Sequence, residues 1–349
     1  MHLDRSTTIK TTTQTDRGLA LLLVIFIIAL ASVLVINLTY STTLGARLNA
    51  RYVRAVQAEY LLKSVLNFAR KMIVSELPGP DGAPQEMWLP FKNGAPLPLE
   101  LVGVSEPNTR IELEIRPEDS MIRVSQFNVS SNVQRWGPVL YRLFVKLGFD
   151  DDDEADQFGQ FKGRAFKSED LVGILIDYQD ADKDSFTATS YARGLESELK
   201  ENVFANSEMK NKNELRSLPG FTAKRLEKLM PYVTDQGSYK ININTARSEL
   251  VQALNQNIDD LMIERLVEER TKEPFNRKGN YQARLQDIFG ATIYNEIFSM
   301  ITVESSRFRV IAKVDYGGQV LYYLRAVVFK QPGVGSGDAL PEISSLELF

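Results

Sequence analysis

Cysteine is absent from this 349-residue chain, and histidine occurs once, at position 2. Thiolate catalysis, disulfides and zinc–thiolate sites are therefore excluded, and the redox compartment is left open, since an exported protein need not use disulfides. The lone His2 stands ahead of a long apolar run, where it cannot join a buried triad or a histidine-based metal site with residues of the main body. Hydrolysis would be left to Ser–Lys or carboxylate chemistry, and no nucleophile-elbow context stands out. Excess positive charge is missing as well: 41 Lys and Arg against 45 Asp and Glu leave a formal charge of −4. That is not the surface with which a dedicated nucleic-acid binder displaces counterions from phosphates. The chain thus reads as a protein that is not an enzyme and has no nucleic-acid partner. A hydrophobic fraction of 44% supports a real core in one large or two ordinary domains.

What is present begins with LALLLVIFIIALASVLVI, residues 19–36 without a charge. This run is close to the ~20 residues with which a helix crosses a hydrocarbon layer about 30 Å thick. A conventional secretory signal has a shorter apolar core and a small-residue cleavage site after it; here residues 37–73 remain helix-friendly instead. Leu44, Leu48, Val56, Tyr60 and Leu66 recur at helical spacing, with Arg47, Arg51, Arg54 and Lys63 on a polar side. One retained helix about 80 Å long is expected. Orientation is not decided by charge, because Arg5, Lys10 and Arg17 before the run are balanced by Arg47, Arg51 and Arg54 after it.

The short polar leader, residues 1–18, ends in Asp16-Arg17-Gly18. It resembles the leader of type IV pilins and pseudopilins, in which a prepilin peptidase on the cytoplasmic side cuts after the glycine and methylates the new amino terminus. The resemblance implies cleavage between Gly18 and Leu19 and N-methylation of Leu19. Most pilins carry a glutamate at the fifth mature position; this sequence has Leu23. An unpaired carboxylate in lipid costs several kcal/mol, and in the resembled family its loss marks the subunit at the filament tip. The plainer alternative at this point is a signal-anchored periplasmic protein.

Pro78-Gly79-Pro80-Asp81-Gly82-Ala83-Pro84 is a breaker cluster that should end the helix. Residues 111–115 alternate with period two, residues 121–127 more loosely, and residues 308–314 and 320–329 are β-rich around the hairpin signal Asp315-Tyr316-Gly317-Gly318. Between them the patterns are helical, at residues 139–147, 169–178, 223–232, 247–255, 258–270 and 285–300. The expected fold class is α+β: a pilin-like long N-terminal helix packed on a small antiparallel sheet, with a large inserted all-α domain. The expected divisions are a leader at 1–18, the transmembrane and pilin helix at 19–76, and the first part of the sheet domain at 77–131. An inserted helical domain of the SAM or helix-hairpin-helix kind follows at 132–300, then C-terminal strands at 301–330 and a flexible tail at 331–349.

Asp177-Tyr178-Gln179-Asp180-Ala181-Asp182-Lys183-Asp184 packs four carboxylates into eight residues after an apolar stretch. Alternating aspartates can converge on calcium, which takes six to eight oxygens. The EF-hand glycine and terminal glutamate are missing, so taken alone the segment is equally a solvated acidic loop. Asp150-Asp151-Asp152-Asp153-Glu154 reads as a charged turn. The acidic segment is followed in order by Gly194-Leu195-Glu196, Ala205-Asn206, Asn213-Glu214-Leu215 and Ile241-Asn242-Ile243-Asn244-Thr245-Ala246. This series resembles the K-type minor pseudopilins of the type II secretion system (the GspK family). Tyr178 stands for the usual tryptophan, Leu195 for a common alanine, and Phe127-Asn128-Val129-Ser130 matches an earlier element only in part.

The resemblance implies calcium in the helical domain, held by Asp180, Asp182, Glu196 and Asn206, with Asp177 a further candidate. It implies a filament-tip subunit of the inner membrane, its globular part in the periplasm, acting in filament initiation or capping during protein export. Its partners would be the I and J minor pseudopilins, the major pseudopilin and the prepilin peptidase. A minor pilin of a type IV pilus or competence system is the nearest alternative, expected to lack the insertion. Leu218-Pro219-Gly220-Phe221 before residues 223–232 also looks like a helix-hairpin-helix unit, as does the Asn242–Ala246 element before residues 258–270. A membrane-anchored DNA-binding protein is the more distant alternative. Asn242 and Asn244 are expected as turn formers and side-chain caps for the helix near Arg247.

Overall fold

The structure is a computed structural model that describes residues 13–74, 86–103, 108–152, 154–156, 159–188, 190–199, 204–318, 321–331 and 340–349. Most of the expected leader, the Pro78–Pro84 cluster and part of the C-terminal tail lie outside these residues. The chain divides into two units, residues 1–60 and 61–349.

In the first unit the described backbone, from Thr13 onward, is one unbroken helix. The helix α1 runs over Thr13–Val74, beginning upstream of Gly18 and so inside the expected leader. Leu19, Leu22, Phe26, Leu34 and Ile36 are all exposed, and the helix is long and apolar enough to cross a bilayer. Thr39, Thr42 and Thr43 hydroxyls donate to carbonyls one turn back, which satisfies polar groups within the helix itself. Leu44, Leu48 and Tyr60, expected on the apolar side, are exposed too.

The second unit begins with the end of α1, where Leu61, Leu62, Val65, Leu66, Ala69, Met72 and Ile73 form a buried face at helical spacing. It packs on a five-stranded antiparallel sheet. In chain order the strands are β1 (Ala95–Pro96), β2 (Thr109–Pro117), β3 (Arg307–Tyr316), β4 (Leu321–Phe329) and β5 (Glu342–Leu348), and they neighbour one another in that same order. Alternation puts Ile111, Leu113 and Ile115 of β2, Phe308, Val310, Ala312 and Val314 of β3, and Leu324, Ala326 and Val328 of β4 into the core with the helix. Trp88 closes one end, edge-on to Phe308 with ring centroids 5.5 Å apart. The β3–β4 turn uses Gly317 and Gly318, both at positive φ, with the Gly318 amide donating to the Asp315 carboxylate at 2.6 Å.

Two expectations are corrected here. Residues 342–348 are the edge strand β5 and not a flexible tail: the tail sequence EISSLEL pairs with β4 from Leu324↔Leu348 to Phe329↔Glu342, and Phe349 stacks on Tyr323 with centroids 4.7 Å apart. Residues 121–127 form only the two-residue strand Ile122–Arg123, parallel to Val233–Thr234, and then a 3-10 turn, Val124–Asn128. Their apolar side chains, Ile122, Val124 and Phe127, belong to a different core.

That second core is the insertion. The chain leaves the sheet at the end of β2 and returns at the start of β3, and because Pro117 and Phe308 are register partners, exit and return lie side by side. The inserted helices are α2 (Ser130–Lys146), α3 (Ser168–Asp177), α4 (Ala223–Leu229), α5 (Ser248–Ala253), α6 (Asp260–Lys272) and α7 (Tyr281–Ile297). Gly290, at φ 76°, kinks α7. Trp136, Leu140, Phe144, Leu171, Ile174, Leu175, Leu250, Leu266 and Phe289 lie at the centre of one continuous apolar cluster. The run at residues 150–154 is more than a charged turn: Asp150 accepts the Ser168 amide at 2.7 Å, and Asp152 pairs with the fully buried Arg225. Arg225 also donates to the carbonyls of Phe149, Phe166 and Gly220, so a buried charge is met by ion pair and backbone together.

Candidate metal centre

Helix α3 is where the acidic centre starts, since an almost wholly buried helix must deliver its last residue, Asp177, into the interior. Asp177 has no exposure. Its two oxygens accept three backbone amides, from Phe186 at 2.7 Å, Leu195 at 2.7 Å and Glu196 at 2.9 Å. A Cβ at position 194 would fall 2.4 Å from an Asp177 oxygen, which is why the residue before Leu195 is glycine. Burial pushes the Asp177 carboxyl up to about 6 against the pull of those amides. Asp177 therefore ties two loops to the helix end, and its oxygens are committed to the backbone.

One turn on, Asp180, Asp182 and Glu196 bring one carboxylate oxygen each within 4.8 Å of one another. Asp180 Oδ1 and Glu196 Oε2 are buried without a hydrogen-bond partner. Burial, and then the neighbouring charges of Asp182, Asp177 and Glu196, push the Asp180 carboxyl up to about 7. Asn206, held at φ 45°, donates its Nδ2 to Glu196 Oε1 at 2.8 Å and to the Asp182 carbonyl at 2.6 Å, and its own Oδ1 is buried and unpartnered. Four of the five expected residues thus meet, and Asp177 stands behind them as the group that places Glu196.

Three orphaned buried oxygens in a set made only of carboxylates and an amide fit a hard cation of the calcium or magnesium kind, and leave softer metals without their preferred ligands. Sequence reasoning missed the supports. Tyr178 donates to Glu214 Oε2 at 2.9 Å, with its hydroxyl pushed up to about 12 by burial and by Glu214. Glu214 Oε1 in turn accepts the Asn211 amide at 2.9 Å. The buried Gln179 donates to the Val124 carbonyl at 3.0 Å. The Glu214-Leu215 pair was a motif in the sequence, but nothing there connects it to Tyr178.

The asparagines of the Asn242–Ala246 element are not caps of α5, whose N-cap residue Arg247 makes no side-chain cap. Asn242 Oδ1 does accept the Asn244 amide at 3.0 Å, as a turn former should. Beyond that, Asn244 bonds both backbone groups of Phe275 and the Val303 carbonyl, and Asn242 reaches Ser305. They stitch distant segments of the insertion together. At the other hairpin, Gly220 has a positive φ of 77°, and its amide donates to Asp156 Oδ2 at 3.2 Å. A carboxylate of the same chain holds the donor that such hairpins offer to phosphate.

The described chain combines a helix of membrane-crossing length, a small antiparallel sheet and a helical insertion with an oxygen-lined acidic centre. Two family models, both described as type II secretion system (T2SS), protein K, match residues 126–235 and residues 241–286. Over residues 126–286 the chain thus carries both domains of the type II secretion system protein K family, whose members are pseudopilin components and not enzymes. No curated protein matches the chain. Among solved structures, a chain in the crystal structure of the GspK-GspI-GspJ complex from the enterotoxigenic Escherichia coli type 2 secretion system is similar, with a TM-score of 0.59 and 15% identity. The match covers 87% of this chain and 99% of that one, a likeness of fold.

Proposed function

We propose that this minor pseudopilin of the protein K family works at the tip of the periplasmic pseudopilus, where it starts or caps the filament during protein export. The observation that carries the reading is the match of both protein K domains to the insertion, the part a simple pilin lacks. Leu23 in place of the usual glutamate supports the tip position, since the subunit brings no carboxylate into the bilayer to pair with a neighbour's terminal amine. The I and J minor pseudopilins are its proposed partners, supported by the likeness to a chain of the GspK-GspI-GspJ complex; the major pseudopilin would follow below. The apolar helix α1, the one candidate membrane span among the described residues, supports an inner-membrane anchor with the globular part in the periplasm. Cleavage after Gly18 and N-methylation of Leu19 by the prepilin peptidase are part of the same proposal.

Calcium is the proposed ion of the acidic centre, with Asp180, Asp182, Glu196 and Asn206 as side-chain ligands. Its role would be to neutralise the clustered carboxylates and fix the loops around them; Asp177 holds Glu196 in position. The test of the filament reading is the mass of the N-terminal peptide of the membrane-extracted protein, with and without the prepilin peptidase. A chain starting at N-methyl-Leu19 only when the peptidase is present is the expected result. An uncut chain, or one cut beyond Ile36, would sink it.

A further inference from the structure

The insertion and the sheet have separate hydrophobic cores, and what lies between them is polar. Glu118 and Asp119, the first residues after β2, are almost completely buried. Glu118 makes an ion pair with Arg309 of β3 at 2.6 Å and accepts the hydroxyl of Thr234. Asp119 accepts the Ser238 amide at 2.6 Å through one oxygen and the Ser306 amide at 2.6 Å through the other. Arg307 donates to the carbonyls of Gln236 and Gly237, and Asp235 pairs with Arg309 at 3.2 Å. Two adjacent carboxylates thus bind three crossings at once: the chain leaving the sheet, the chain returning to it, and residues 234–238 from the middle of the insertion. A Cβ on Gly237 would lie 3.0 Å from the Glu118 carbonyl, so that middle segment sits directly on the junction.

We propose that Glu118 and Asp119 form a clamp that makes the insertion and the sheet one cooperative unit, so that a cation bound in the acidic centre stabilises the strands as well as the insertion. The second half rests on the calcium reading. Buried carboxylates are costly until every partner is in place, which favours all three crossings docked or none.

The test is amide hydrogen exchange on the full chain in detergent, with and without calcium chloride, for wild type and for Glu118→Gln with Asp119→Asn. At free calcium 100 times the dissociation constant, wild-type amides that open only by global unfolding are expected to slow by about 100-fold in the insertion and in β3 and β4 alike. In the variant the insertion keeps that response and the strands lose it. Strands that respond in the variant as in wild type, or that fail to respond in wild type while the insertion does, overturn the clamp. If calcium slows exchange nowhere, the calcium reading has failed and the clamp is judged in urea: one common midpoint in wild type and two in the variant support it, while one in both or two in both overturns it. Should the double variant not fold, Thr234→Val, which removes one hydroxyl from the junction, takes its place under the same criteria.

Discussion

Asp177 and Asp180 are three residues apart in one acidic motif, yet their surroundings give them opposite work. Asp177 is surrounded by backbone donors, so Asp177→Ala strands three buried amides; a loss of about 3 kcal/mol or more is expected by urea denaturation. Gly194→Ala should cost a similar amount, because its methyl would collide with the same carboxylate. Asp180 has an orphaned oxygen and carboxylate neighbours, so Asp180→Ala with Asp182→Ala should leave a folded protein whose melting no longer responds to calcium or chelator. For wild type, calcium at 100 times its dissociation constant adds about 2.7 kcal/mol, a rise of roughly 5–10 °C in Tm for a domain of this size. An unchanged calcium response in the double variant would remove these residues from the site. The motif was visible in the sequence because its residues are close along the chain or carried by the short segments Gly194-Leu195-Glu196 and Ala205-Asn206. The division of labour was not, since it depends on which amides loop back to the end of α3.

At the level of elements, the strands with a buried face were legible from alternation, and the edge strand was not. No side chain of β5 is buried; its pairing with β4 comes from the backbone ladder, an Arg70 bond to the Pro341 carbonyl at 2.8 Å and the Tyr323–Phe349 stack. Hydrophobic patterning carries no signal for a strand held that way. Removing residues 332–349 should therefore cost only about 1–2 kcal/mol and leave the sheet core intact in the melt. The newly exposed β4 edge should raise self-association in light scattering. Residues 121–127 erred in the other direction: their loose alternation was real, but it served the core of the insertion.

On the scale of the whole molecule, the insertion hangs from two neighbouring strands. Replacing residues 118–307 by an Asn-Gly turn should join β2 to β3 as a hairpin in the native register, Pro117 opposite Phe308, and leave a sheet domain that folds around its own core, without a calcium response. A replaced protein that fails to fold by circular dichroism would mean that the sheet depends on the insertion for its stability. The apolar positions Leu44, Leu48 and Tyr60 of α1 are exposed, and their helical spacing suits packing by other helices of a filament.

By itself the sequence determined the long apolar helix, the α+β class, the presence of a helical insertion and the composition of the acidic centre. Each of these is written in local periods or in short motifs, which act over a few residues. Tertiary structure alone decided that Asp177 supports and Asp180 faces its fellow carboxylates, that the tail is a strand, that Asn242 and Asn244 bridge segments, and that Glu118 and Asp119 join two cores. Those outcomes depend on contacts between residues from 9 to 191 positions apart. Which buried polar group finds which partner there is settled only when the chain has closed on itself.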